Sequence, residues 1–278
     1  MEPRLIYLAV ALFFSLKRCG KRTRTVLFYS HIAMRYFIVF SYDGTNYHGW
    51  QEQPNAVSVQ QRLNEALATI LRQPVVTTGA GRTDTGVHAR MMVAHFDCDI
   101  EVPDDLCDRL NRLLPPDIAV SRITKTDERA HARFDATSRT YHYDIITGKD
   151  PFNNRFATRI YYDLDFERMN AAAELLLGQH DFTSFSKTGT DTKTNICTIQ
   201  TARWIRISEH YYRFEITADR FLRNMVRAVV GTLFQVGRGR LQIEDIRRII
   251  DEQDRCAAGE SVPARGLSLV NVTYPYEI

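Results

Sequence analysis

The sequence predicts an α+β fold made of two successive blocks, residues 34–136 and 137–278, behind a distinct N-terminal stretch, 1–33. Three observations carry this. Strand-like and helical patterns follow one another twice along the chain without a regular βαβ alternation. No low-complexity linker separates the blocks, so they are expected to share a continuous interface with a site between them. The composition, 44% hydrophobic and 25% charged, is that of a globular chain able to bury a core.

The first block opens on RYFIVFSYD (35–43), aromatic and β-branched, which reads as a strand. Ser58 with Gln61 three residues on is a capping-box signature, and Val59, Leu63, Ala66, Leu67, Ile70 and Leu71 recur at helical spacing before Pro74. A glycine-rich stretch, 78–86, precedes a strand near 91–97. Pro103 starts a short helix carrying Leu106, Leu110 and Leu113, and a strand follows near 118–123. In the second block Tyr141, Tyr143 and Ile145 alternate with His142, Asp144 and Ile146, predicting a strand over 140–147. A helix over 166–177 stops at Gly178. Strands are expected over 202–208 and 211–217, helices over 221–236 and 243–251, and a last strand over 267–274.

The net charge of +3 is unevenly placed. Residues 1–33 hold six basic side chains against Glu2, or +5, which leaves −2 for the rest. Nucleic-acid binding would therefore need a local basic groove. The apolar run from Leu5 to Leu16, 12 residues, is too short for an ordinary membrane span, and its positive charges mostly follow it. The expectation is a leader outside the folded core, with Met34 as the functional start and no membrane anchor. Cys19, Cys98, Cys107, Cys197 and Cys256 are odd in number and form no C-x-x-C pair, which argues against a disulfide framework or cysteine-built zinc site and fits a reducing cytoplasm.

The stretch GAGRTDTG (79–86) resembles two nucleotide-binding motifs and satisfies neither. Asp84 stands where a dinucleotide fingerprint needs glycine, and Val87 where a P-loop needs lysine. What remains is a turn presenting Arg82 and Asp84, with glycines that let a substrate approach closely. Aspartate and glycine are also ordinary turn residues, so the residues alone leave Asp84 readable as a turn cap.

GRTDTGVHA (81–89) is similar to the GRTDAGVHA signature of the TruA family of tRNA pseudouridine synthases, with Thr85 in place of alanine. Further matches run in order through YDGTNYHGWQ (42–51), HARFDATSRTYHY (131–143), DFTSF (181–185), FLRNMVRAVVGTL (221–233) and ARGLSLV (264–270). The resemblance implies two RRM-like (ferredoxin-like) subdomains sharing a long antiparallel sheet, a site in the cleft between them, and a homodimer gripping one tRNA. It implies isomerisation of uridines at positions 38, 39 and 40 of the anticodon arm, without cofactor or metal. Asp84 would be the catalytic nucleophile, attacking C1′ of the ribose or C6 of the uracil, or assisting elimination. Arg227 would pair with it, Tyr141 would stack on the uracil, Leu267 would line its pocket, and Arg82 would fill the place of the flipped nucleotide. Phosphate contacts are expected from Arg220, Arg223, Arg238 and Arg240.

Two other readings are weighed beside this one. His95, Asp97 and Asp99 alternate along a strand with His88 nearby, as in a metal-dependent hydrolase, but no H-E-x-x-H pair is present. Aromatic strands and scattered arginines would suit a non-catalytic RNA-binding sheet, yet no RNP1 pattern appears, and a pure binder has no need of Asp84 in a glycine loop.

Overall fold

The computed structural model describes residues 33–189 and 193–278; the leader expected over 1–33 lies outside them except for its last residue. In the first block β1 (Met34–Tyr42) leads through a single 3-10 turn to α1 (Val59–Leu71), then to β2 (Thr78–Gly79), β3 (His88–Cys98), α2 (Leu106–Leu113) and β4 (Ile118–Thr126). The second block runs β5 (Ser138–Ile146), β6 (Thr158–Arg159), α3 (Phe166–Glu174), β7 (Gly178–Asp181), β8 (Ile196–Arg206), β9 (Tyr211–Ala218), α4 (Met225–Gly237), α5 (Asp245–Glu252) and β10 (Leu267–Thr273). No helix among the described residues is long and apolar enough to cross a membrane.

The strands join in one sheet ordered β4-β1-β3-β10-β5-β9-β8-β7, with β2 beside β3 and β6 beside β5. In the first block β1 lies between β4 and β3, and in the second β5 lies between β10 and β9, which is the split βαββαβ arrangement of ferredoxin-like halves. The free edge of β3 is shared. Its Ala94–His95 end pairs with β2, and its His88–Ala89 end pairs with Leu269 and Ser268 of β10. That seam runs parallel, as does the β5–β6 pairing, so the long sheet expected as antiparallel is mixed.

Local chemistry sets the element ends. Ser58 Oγ accepts the Gln61 amide at 3.2 Å, whereas the Gln61 side chain reaches forward to Glu65 at 2.9 Å, so only half of the expected capping box forms. Of the three leucines expected on α2, Leu106 and Leu110 are buried and Leu113 is 50% exposed. The helix expected over 166–177 ends at Glu174, and Gly178, with φ +91°, instead opens the edge strand β7. The helix expected from Phe221 starts at Met225, because Asn224 sits at φ 66° and a left-handed residue cannot continue a right-handed helix. Phe221 and Arg223 therefore belong to the loop that approaches α4.

The 131–136 turn, which leads into β5, is fastened to β3 by His95. The Ala132 amide donates to His95 Nδ1 at 3.1 Å, and the imidazole is 6% exposed. Burial, reinforced by the Arg35 guanidinium and His131, pushes the His95 pKa down to about 4. The unfolded chain takes up this proton near the ordinary histidine value of 6.5, whereas the folded imidazole resists it until about 4. Protons therefore favour unfolding across that interval; the contribution is whole above the upper value and is lost as pH falls. Between pH 7 and pH 4 the protein should lose about 3 kcal/mol more unfolding free energy than a His95→Gln variant, measured by urea titration.

Candidate active site

The loop of residues 80–87 connects β2 to β3 and ends at the seam with β10. Its conformation is set by a cradle formed by residues 42–50. The Ala80 amide donates to Val93 O at 2.7 Å, which anchors the loop's start on β3. Tyr42 Oη and Thr83 Oγ1 share a hydrogen bond of 2.8 Å, and the Trp50 amide donates to Thr83 O at 3.2 Å. The Gly86 amide donates to Tyr47 O at 3.2 Å, and the Val87 amide closes a turn on Asp84 O at 3.1 Å. Gly49, at φ +85°, lies so close that an added Cβ would stand 2.3 Å from Thr83 O; one on Gly44 would stand 2.0 Å from Val87 O. The YDGTNYHGWQ segment, which the sequence marked only by resemblance, is thus the mould of the loop.

From this loop the Asp84 side chain, 27% exposed, faces two guanidinium groups. Arg227 Nη1 lies 3.5 Å from its Oδ2, and Arg223 Nε lies 3.9 Å from its Oδ1. Arg227 is held by its own Nε, which donates to Val262 O at 2.7 Å, while the Val262 amide donates to Arg227 O at 3.2 Å. Arg223 precedes the Asn224 cap and Arg227 lies in the first turn of α4. Both contacts are longer than a made hydrogen bond. The carboxylate has counter-charge beside it and, among the described residues, accepts no side-chain hydrogen bond, an arrangement that could leave its lone pairs to a ligand atom.

Tyr141 of β5 is 8% exposed and meets the Phe221 ring edge-on, with centroids 5.1 Å apart and planes at 87°. Burial, opposed by Arg139 and reinforced by the charge of Asp84, pushes the Tyr141 phenol up to about 12, so it keeps its proton at neutral pH. Leu267, 6% exposed, pairs across from Tyr143, and Leu269 pairs across from Tyr141. Cross-strand partners share a face, so Leu267 and Tyr141 lie on the same side of the sheet. Arg82 is exposed and makes no hydrogen bond or ion pair among the described residues.

The four arginines expected at phosphates do not form one patch. Arg223 stands at the carboxylate, and Arg220 follows Asp219, whose Oδ1 accepts its amide at 2.7 Å. Arg238 and Arg240 lie past the far end of α4, 13 residues long and so roughly 20 Å from its start, with the Arg238 guanidinium 4.2 Å from the Tyr162 ring centroid. Three of the four side chains of the alternative metal reading have other partners. His95 holds Ala132, Arg35 grips Asp97 at 2.7 and 2.8 Å, and His88 lies 3.0 Å from Asp43. Among the described residues no three such side chains gather where they could hold a metal.

The profile of a family described as tRNA pseudouridine synthase matches residues 38–135 and 172–275. The chain belongs to the TruA family of tRNA pseudouridine synthases. It is 57% identical over 246 residues to tRNA pseudouridine synthase A of Bacteroides fragilis, covering 88% of this chain and 98% of that protein. The Bacteroides thetaiotaomicron protein of the same name is 58% identical over 247 residues, covering 88% and 92% of the two chains. The Clostridium kluyveri one is 41% identical over 242 residues, covering 85% and 98%. The TruA reaction is an intramolecular isomerisation of uridine in tRNA: the N1–C1′ bond is broken and a C5–C1′ bond is made.

In this TruA-family chain the cradle has a direct test. Gly49→Ala drives a methyl group into Thr83 O, moving Asp84 while leaving the core intact. A displacement of about 1 Å should lower kcat on the order of 10²-fold, with the melting temperature and the tRNA dissociation constant changed far less. Steady-state kinetics beside a thermal melt would measure both.

Proposed function

We propose that this enzyme converts uridines at positions 38, 39 and 40 of the tRNA anticodon arm to pseudouridine, with the Asp84 carboxylate as nucleophile. The observation that carries the reading is a carboxylate in a moulded loop, 3.5 Å from Arg227 and still partly open, in a chain of this family. The reaction detaches the base, turns it and rejoins it at C5, releasing the C5 proton; reactant and product are isomers, so the balance calls for no redox partner. Covalent catalysis by a carboxylate, at C1′ or at C6, holds one fragment while the other turns.

A uridine inside a stacked stem is out of reach and must swing outward, at a cost of a few kcal/mol. Arg82, exposed on the loop and without a hydrogen bond or ion pair among the described residues, fills the gap it leaves. The Tyr141 ring stacks on the uracil and Leu267, on the same side of the sheet, closes the pocket; base–aromatic stacking contributes about 1–3 kcal/mol. Since the chain outside residues 1–33 carries −2, RNA is gripped by local cations: Arg223 beside the carboxylate, Arg220 three residues before it in the loop, and Arg238 and Arg240 about one helix length away. A tRNA touching both places must span that distance, and the homodimer implied by the family resemblance grips one tRNA across both copies.

Incubation with unmodified tRNA transcripts, followed by carbodiimide mapping of pseudouridine, should place every product at positions 38–40. Modification confined to another arm would overturn the assignment. Replacing Arg238 and Arg240 together by alanine should flatten the plot of log affinity against log salt by roughly 1 for each arginine lost, measured by filter binding.

A further inference from the structure

We infer that Arg139 is a positioning residue for the isomerisation: its guanidinium ties the segment that carries Asp84 to the segment that carries Arg223 and Arg227. The inference rests on the reading of Asp84 as the reacting carboxylate. Arg139 lies on β5 two residues before Tyr141, and therefore on the same face of the sheet. Its side chain donates four hydrogen bonds, all to main-chain carbonyls. Nη2 reaches Ala80 O at 2.9 Å and Arg133 O at 2.6 Å, while Nη1 reaches Ala136 O at 2.9 Å and Asp219 O at 2.8 Å.

These carbonyls belong to three separate segments. Ala80 begins the loop that presents Asp84, and its amide is already fixed to Val93, so Arg139 holds the other side of the same residue. Asp219 begins the approach to α4; its amide donates to Thr198 O at 3.2 Å, and its carboxylate accepts the Thr198 and Arg220 amides. Arg133 and Ala136 lie in the turn that His95 fastens to β3. Among the described residues Arg139 forms no ion pair; its charge is met by carbonyl dipoles from both blocks of the chain.

Only arginine suits this task. Its planar fork directs its terminal N–H groups in fixed directions, and Arg139 engages both terminal nitrogens twice. A lysine has three donors on one atom and cannot reach four carbonyls on three segments. The nucleophile and its cations come from chain segments far apart in sequence, so an error in the relation of Ala80 to Asp219 passes directly to the 3.5 Å separation between Asp84 and Arg227.

Arg139→Lys and Arg139→Gln test this, each with thermal melts, tRNA binding and single-site turnover in the full chain. In the folded variants kcat should fall on the order of 10²-fold, the effect of displacing a reacting group by about 1 Å, with KM for tRNA near the wild-type value. A merely structural contact would lower the melting temperature and leave kcat unchanged well below it; that result, a wild-type kcat in Arg139→Lys, or a rise confined to KM would each overturn the assignment. Failure of both variants to fold would place Arg139 in the framework and overturn it equally. Wild-type protein that makes no pseudouridine in the same assay would sink the functional reading itself, which separates the two failures.

Discussion

A partly buried carboxylate where two halves of a chain meet needs positive charge near it, because removal from water penalises an unpaired ion by several kcal/mol. Asp84 has two such neighbours, and neither closes to hydrogen-bonding distance: Arg227 stands at 3.5 Å and Arg223 at 3.9 Å. A tight bidentate pair would occupy both carboxylate oxygens, which the proposed reaction needs open, and a remote cation would leave them uncompensated. The intermediate separation depends on where the carrying segments are held, and much of the surrounding structure fixes it. Residues 42–50 mould the Asp84 loop, and Val262 holds the Arg227 guanidinium through its Nε.

The sheet explains why these segments meet. The ferredoxin-like halves are joined by a parallel seam between the start of β3 and the start of β10. The loop before β3 and the residues before β10 therefore emerge together, and Val262 in the latter stretch reaches α4. Each half alone would carry an incomplete site, the first with the carboxylate and the second with Arg223, Arg227 and Tyr141.

Much of the site was legible from the sequence, although for uneven reasons. Residue physics alone excluded two nucleotide-binding motifs and left Asp84 open as a turn cap; the ordered motifs supplied the role proposed for it. Regular strands and helices were visible because their periodicity extends over many residues. The two-residue strands β2 and β6 and the four-residue β7 were not, since so few residues carry no period. The start of α4 was misplaced because a left-handed Asn224 has no periodic signal, and the misplacement assigned Phe221 to a helix when it is the wall beside Tyr141. The cradle of Tyr42, Gly44, Gly49 and Trp50 and the four-carbonyl grip of Arg139 are long-range hydrogen bonds and close approaches, invisible to any local pattern. The parallel seam was hidden for the same reason, since register between strands at positions 88 and 268 leaves no mark in either.

The most direct test is the release of tritium from C5-labelled uridine in tRNA by the intact protein and by Asp84→Asn, a variant that preserves shape and removes the charge. Turnover by the first, and release lowered by several orders of magnitude in a second that melts and binds tRNA normally, is the result expected. Release at the wild-type rate from folded Asp84→Asn would contradict the account.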